Sequence, residues 1–309
     1  MEQVKINIDR DSYKSAIIIL NWNGLADTLE CLLSVQKHCI NENFLVLLID
    51  NHSKESIDPF LAQTWEIPIL LIKNDENSGF AQGNNIGAAA ALEYKPDYLL
   101  LLNNDTVLLN NMLGEMTGIF EKYPKVGVAG AVNYYFSNPA TIWQAGAKVS
   151  LQTGKIKLVN IDPAVEIMNM DFVPGSSIMM RSEIVNRIGL FDPNFFAYSE
   201  ELDFCLRAKK IGYDVVCVTK AKLLHKVGKA SPRPAKEYLR LRNKFYLFRR
   251  HSKPLNFIFI SANETTKALI KATIELFKKG TTVYYSAVYF AIRDYNKKSF
   301  GIGACGKFF

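Results

Sequence analysis

Four stretches of this chain are hydrophobic without interruption, and each runs into asparagine or aspartate. Ser15 to Asn21 is rich in isoleucine, and Phe44 to Asp50 closes on Asp50-Asn51. Pro68 to Lys73 leads into Asn74-Asp75, and Leu99 to Leu102 leads into Asn103-Asn104-Asp105. A continuous rather than alternating apolar run predicts a strand buried on both faces, as in a parallel sheet. Between these runs the apolar spacing changes. Leu25, Leu29, Leu32, Leu33 and Val35 predict a helix to about His38. A short helix is expected over Ile57 to Trp65, a small-residue helix over Phe80 to Glu93, and another over about Asn110 to Tyr123. This alternation predicts a mainly parallel α/β sheet with right-handed crossovers, whose carboxyl edge gathers the polar residues.

Beyond Val126 to Val132 the pattern loosens. Residues 133–170 read as hairpin and loop, 171–177 as loop, Ile178 to Met180 as a short strand, and Ser182 to Ile188 as a helix. Ser199 reads as the N-cap of a helix with Glu200 and Glu201 in its first turn and an Asp203/Arg207 pair four residues apart. Tyr213 to Val218 reads as a strand, followed by Lys222-Leu223-Leu224-His225 and a glycine-containing loop. From Pro234 the chain reads as helical and basic, with further helices over Leu255 to Phe277 and Thr282 to Tyr295. Their aromatic-rich apolar faces fit either an interfacial role or packing on the body.

The 309 residues, 49% hydrophobic and 22% charged, suffice for one large α/β domain with an appendage or for two domains. Met1 to Lys14 is polar and unlike a signal peptide, and no apolar run reaches the length of a membrane span. Cys31, Cys39, Cys205, Cys217 and Cys305 form no Cys-x-x-Cys pair and read as reduced thiols of a cytosolic protein. Charge changes the picture more. From Lys226 onward there are 18 Lys and Arg against 4 Asp and Glu, and elsewhere 19 against 26, so a basic tail of +14 is joined to a body of −7. Such a tail suits an anionic surface, although basic helices are often simply solvated.

The candidate chemistry sits at the strand ends. Asp105, at the carboxyl edge, is a hard oxygen ligand suited to Mg²⁺ or Mn²⁺ beside a phosphate. The same Asn103-Asn104-Asp105 also suits a turn and N-cap. Glu200 and Glu201 suit general-base work or mere complementation of the helix dipole. His225 suits a ligand or a structural role. No Gly-x-Gly-x-x-Gly follows the first strand and no Walker sequence occurs, which weighs against a dinucleotide-binding or ATPase fold.

Together these stretches resemble the family 2 glycosyltransferases, and within them the rhamnosyltransferase-like bacterial enzymes. The matching pieces are Ile17 to Gly24, Leu48 to Asn51, Asn77 to Asn85, Leu102 to Thr106, Gly189 to Asp192, Phe195 to Arg207 and His225, in order across about residues 15 to 250. The resemblance implies a GT-A, Rossmann-like α/β fold with a mixed, mainly parallel sheet. It implies a catalytic domain over 1–232, with a nucleotide-sugar half at about 15–132 and an acceptor half at about 133–232, and a helical extension over 233–309. It further implies a nucleotide-diphosphate-sugar donor, dTDP- or UDP-linked, a divalent Mg²⁺ or Mn²⁺ ion, and inversion at the anomeric carbon. Asp105 matches the last acidic residue of the Asp-x-Asp metal motif, with Asn103 at the first, and His225 matches a further metal-side ligand. Asp50 matches the residue that reads the pyrimidine. Asn21 and Asn23 would line the nucleotide pocket, with Asn104 beside them, and the loop bearing Asn77, Gly79, Phe80, Asn84 and Asn85 would contact base, ribose and diphosphate. Glu201 matches the catalytic base, with Glu200 as the alternative. The expected acceptor is a saccharide or lipid-linked saccharide, at the cytoplasmic face of a membrane. A sugar nucleotidyltransferase and a non-catalytic carbohydrate-binding scaffold are the rival readings.

Overall fold

The computed structural model describes residues 2–227 and 233–308. In chain order the first half runs β1 (Glu2–Ile6), β2 (Ser15–Asn21), α1 (Leu25–Cys39), β3 (Phe44–Asp50), α2 (Asp58–Leu61), β4 (Ile69–Lys73), α3 (Gly79–Leu92), β5 (Tyr98–Asn103), β6 (Thr106–Leu108) and α4 (Met112–Lys122). The second half runs β7 (Val126–Tyr135), β8 (Asn138–Gln144), β9 (Ala147–Val149), β10 (Ile156–Leu158), β11 (Ile167–Asn169), β12 (Ser177–Arg181), α5 (Ser182–Ile188), α6 (Glu200–Lys210), β13 (Asp214–His225), α7 (Arg233–His251), α8 (Pro254–Lys279) and α9 (Val283–Asn296).

The main sheet has the order β1-β4-β3-β2-β5-β12-β7-β13-β11. The expected apolar runs form its parallel heart, β4-β3-β2-β5, and every residue of β3 is buried. The faces divide by alternation. Ile17 and Ile19 pack with Leu32 and Val35 of α1 and Met116 and Phe120 of α4, while Ile18 packs with Ala88 and Ala91 of α3. The small residues of α3 let it lie close to the sheet, because side chains on Gly83 and Gly87 would overlap Leu20 and Ile18. Parallel register sets Asn21 opposite Asp50 and Leu20 opposite Asn103, so the polar strand ends share one edge.

Several local expectations need correction. The polar N-terminal stretch supplies β1, an antiparallel edge strand on β4. The helix expected over Ile57 to Trp65 contracts to Asp58–Leu61, with Pro59 in its first turn. β12 enters antiparallel between β5 and β7, where β-strand spacing alone gave no direction. The two pieces around Tyr213 and Lys222 are one strand, β13, interrupted by an irregularity between Val218 and Lys222. The loop after Val227 lies outside the described residues. Of the two options the sequence left open for the C-terminal helices, the structure shows packing on the body. Leu247 and Phe248 of α7 join the main core, while α7, α9 and the loop residues Phe196 to Tyr198 form a second cluster.

Candidate active site

The polar carboxyl edge of the sheet is built by asparagines that hold loops rather than by a glycine-rich cradle. Asn21 Nδ2 donates to Asp50 Oδ1 at 3.1 Å and to Ser53 Oγ at 3.2 Å, while its Oδ1 accepts from Thr28. Asn23, at φ 51°, accepts from the Lys54 amide and anchors the same loop. Asn51 is the hub that the sequence reading missed. It is buried, bonds Asn77 at 2.9 Å and the carbonyl of Gly79, and accepts from Asn74 and Ser78. Its signal was present in the Asp50-Asn51 pair, since a buried amide after a strand must be satisfied by the next loop. Asn84 bonds the Phe80 carbonyl, and Asn85 exchanges two bonds with the backbone of Phe191. These two amides are thus engaged in holding α3 and the loop 189–192. Asn104 bonds Thr28 and the carbonyl of Gly24, and the carbonyl of Asn103 accepts from Thr106.

Asp105 and His225 meet because β6 pairs antiparallel with the end of β13, setting Thr106 against His225. His225 Nε2 lies 3.0 Å from Asp105 Oδ1 without hydrogen-bond alignment, and Asp105 Oδ1 and His225 Nδ1 are buried without hydrogen-bond partners. Orphaned buried polar atoms cost free energy unless something else satisfies them. Two cis ligands of an octahedral ion at about 2.1 Å would stand about 3.0 Å apart, so the pair fits a shared divalent cation. Trp143 packs its edge against His225, with ring centroids 4.6 Å apart. Neighbouring Lys226 bonds Asp27 at 2.7 Å and also Glu30, so its charge is consumed locally.

The second half of the site is the entry to α6. Ser199 stands at the expected N-cap position, but at φ 78° with no capping bond from its side chain. Phe196 and Tyr198 also have positive φ, at 63° and 72°. Three such non-glycine residues within four positions store backbone strain, which the surroundings must hold in place. Two fully buried residues of α7 do so. Asn243 Nδ2 lies 2.8 Å from each of the carbonyls of Phe195, Ala197 and Tyr198, and Arg242 bonds those of Asn194, Phe195 and Gly301. Neither residue carried a recognisable signal in the sequence, because both looked like part of a solvated basic face. On the opposite side, Gly79 at φ 79° abuts the Phe196 ring, and the Ala81 amide donates to the Phe196 carbonyl at 3.0 Å. The strained loop therefore joins the donor loop to the acidic helix.

Glu200 is buried with Oε2 unpartnered, and burial followed by the nearby Glu201 charge pushes its carboxyl well above the usual range. Burial also raises Glu201, against backbone hydrogen bonds and the charge of Arg240. Only Glu201 of the pair lines the neighbouring cavity of about 520 Å³, which is also walled by Gln144, Phe172, Tyr198, Arg240 and Lys244. Gly175 backs Glu201 and the Phe80 ring, linking the head of α6 to the loop that opens α3. Lys236 and Arg240 each stand 5.6 Å from the Tyr198 ring centroid. Behind the helix, Asp203 is held by Arg207 and His251 at 2.7 and 2.8 Å, so the expected Asp203/Arg207 pair fixes α6. Burial would raise Asp203, but these partners keep it below the usual range.

The site thus brings Asn21, Asp50 and Asn104 to one edge, Asp105 and His225 together beside it, and Glu201 to a cavity across the Gly79–Phe196 contact. The family model described as "Glycosyl transferase family 2" matches residues 16–189. The dTDP-rhamnosyl transferase RfbF of Shigella flexneri is 20% identical over 278 residues, which are 87% of this chain and 90% of that protein. In structure, the chain resembles the mannosyltransferase PcManGT of Pyrobaculum calidifontis in complex with GDP-Man and Mn²⁺, at TM-score 0.59 and 14% identity over 93% of this chain and 88% of that one. It also resembles GalNAc-T7 with UDP, GalNAc and Mn²⁺, at TM-score 0.62 and 18% identity over 78% of this chain. Here it spans only 48% of the longer protein. These likenesses identify the architecture as GT-A, a mixed sheet parallel at its heart and flanked by helices. With the matched segment covering more than half of its length, the chain belongs to glycosyl transferase family 2 and is a glycosyltransferase.

Proposed function

We propose that this glycosyltransferase moves a sugar from a nucleoside-diphosphate donor to a hydroxyl of a cell-surface or lipid-linked saccharide, with inversion, and that the sugar is L-rhamnose from dTDP-L-rhamnose. The observation that carries the reading is the position of Glu201, a carboxylate of raised affinity for protons facing a cavity of acceptor size. Glu201 takes the proton of an acceptor hydroxyl as its oxygen attacks the anomeric carbon. The bond from that carbon to the diphosphate breaks on the opposite face, and the nucleoside diphosphate departs with the electron pair. Burial and the neighbouring Glu201 charge favour the protonated form of Glu200, which keeps a second negative charge away from the base. Asp50 and Asn21 would receive the pyrimidine, with Asn23, Asn104 and the loop Asn77, Gly79, Phe80 around the ribose and diphosphate. Asn84 and Asn85 would support that loop through Phe80 and Phe191. Asp105 and His225 would hold Mg²⁺ or Mn²⁺, with Asn103 beside them, and the ion would supply charge neutralisation for the leaving group.

The rhamnosyl assignment draws on the similarity to RfbF. Residues 1–232 would form the catalytic body and 233–309 the acceptor-side wall, with the protein acting at the cytoplasmic face of a membrane. No described helix is long and apolar enough to cross a membrane. The test is thermal shift with dTDP, UDP, GDP and ADP, each with and without Mn²⁺, followed by turnover of the matching nucleotide sugars. Stabilisation by dTDP and consumption of dTDP-L-rhamnose are expected. Response to GDP or ADP alone would overturn the donor assignment.

A further inference from the structure

The longest helix of the chain is oriented contrary to the usual pattern. α8 turns Ile260, Glu264 and Ala272 toward the protein, and its outer face is apolar. Leu255 and Phe277, near its two ends, are 80% and 86% exposed, and Ile258, Phe259, Leu269 and Ile270 between them are also exposed. Spacings of three, four and seven residues place them on one stripe running the length of a helix of about 39 Å. Two hydroxyls near the stripe are satisfied within the helix. Thr266 Oγ1 donates to the Ala262 carbonyl and Ser261 Oγ to that of Ile258, both at 3.0 Å. An exposed face carrying apolar side chains over both halves of a helix this long marks an interaction surface.

Charge identifies the partner. Lys267, Lys271 and Lys278 follow one edge of the stripe, in the part of the chain that carries the excess of positive charge. Lys267 and Lys271 pair with Glu264 and Glu237, yet their side chains remain 61% and 50% exposed. A helix with an apolar face bordered by lysines lies in the plane of an anionic bilayer, with apolar side chains among the acyl chains and ammonium groups at the phosphates. The same Lys267 and Lys271 also line the Glu201 cavity, together with Ile156 and Leu158. The cavity mouth and the stripe therefore share an edge.

We infer that α8 is a membrane-docking helix, and that the Glu201 cavity opens onto the headgroup layer to receive an acceptor carried by an anionic lipid. The placement of the acceptor rests on the function proposed above, whereas docking itself does not. The test is flotation of the full chain with vesicles of phosphatidylcholine alone or with about one-third phosphatidylglycerol, at low and high salt. The wild type is expected to float with the anionic vesicles and to be released by salt in part. The triple variant Leu255→Asp, Phe259→Asp, Phe277→Asp is expected to lose about tenfold or more of this partitioning, because each aspartate brings a like charge to the surface and removes an apolar anchor. All three positions are exposed and distant from the donor edge, so nucleotide-induced stabilisation should be unchanged in the variant and reports that it is folded. Wild type that stays unbound to anionic vesicles overturns the inference. A stable wild-type dimer that the triple variant dissolves, seen by light scattering, also overturns it, since the face would then belong to a second copy. Docking with no transfer to any lipid-linked saccharide would leave the membrane face standing and count against the acceptor.

Discussion

Asn243 offers the sharpest test of how the fold prepares the base. Its amide serves three carbonyls at 2.8 Å, in a loop where Phe196, Tyr198 and Ser199 all have positive φ. Each such residue costs on the order of 1–3 kcal/mol, so the loop stores several kcal/mol that α7 must offset. Asn243→Ala removes the donors and leaves carbonyls unsatisfied, at a cost of about 1–3 kcal/mol in stability. Part of the strain would be released by relaxation of the loop, and that relaxation would move Glu200 and Glu201. A displacement of the order of 1 Å at a reacting group costs roughly 10²-fold in rate. The expected outcome for Asn243→Ala is therefore a modest loss of stability, nucleotide affinity close to wild type, and kcat lower by about 10²-fold. The assay is donor turnover well below the melting temperature, beside nucleotide thermal shift. A purely structural role would lower stability alone. A folded variant with kcat within about twofold of wild type would refute the reasoning.

Three further outcomes follow from the site. Asp105→Asn should abolish metal-dependent stabilisation by nucleotide while leaving the apo melting temperature equal or higher, because it replaces a carboxylate whose buried Oδ1 receives no hydrogen bond; thermal shift with and without Mn²⁺ reads both. Gly79→Ala should cost about 1–2 kcal/mol from its positive φ, with more from overlap with Phe196, and should weaken donor affinity first, as measured by denaturant unfolding and nucleotide titration. Glu200 binds its proton more tightly when folded than when unfolded, so its contribution to stability is present in acid and is lost as pH rises through the raised folded pKa. Glu200→Gln should therefore flatten the fall in stability above the ordinary carboxylate range, and an unchanged pH–stability curve would contradict the burial argument.

The strands of the parallel heart were legible because burial on both faces demands continuous apolar residues, as in Phe44 to Asp50. The donor edge was legible for the same reason, since such strands end where polar residues begin. Their direction was less so. β12 is apolar like its neighbours, and nothing in Ile178-Met179-Met180 distinguishes an antiparallel insertion from another parallel strand. Edge strand β1 alternates weakly and is exposed on most of its residues, so its polar sequence gave no core signal. The Asp105/His225 juxtaposition depends on pairing between segments 120 residues apart, beyond the reach of local pattern. Ser199 was read from residue type as a side-chain cap, yet the strained loop denies it that geometry. Arg242 and Asn243 escaped notice because buried polar residues on a basic helix look like solvated ones until their carbonyl partners are known.

In the proposed reaction Glu201 is the base of a single displacement. The measurement that tests it most directly is the pH dependence of donor turnover in the wild type and in Glu201→Gln, with nucleotide binding followed in parallel. The wild-type rate is expected to fall in acid with a midpoint above the ordinary carboxylate range, because the base works only when ionised and burial raises its affinity for the proton. Glu201→Gln is expected to bind nucleotide normally, to lose about 10²-fold or more of the rate on the alkaline plateau, and to lack the acid limb. A Glu201→Gln enzyme that retains the wild-type rate and acid limb would show that the proton goes elsewhere.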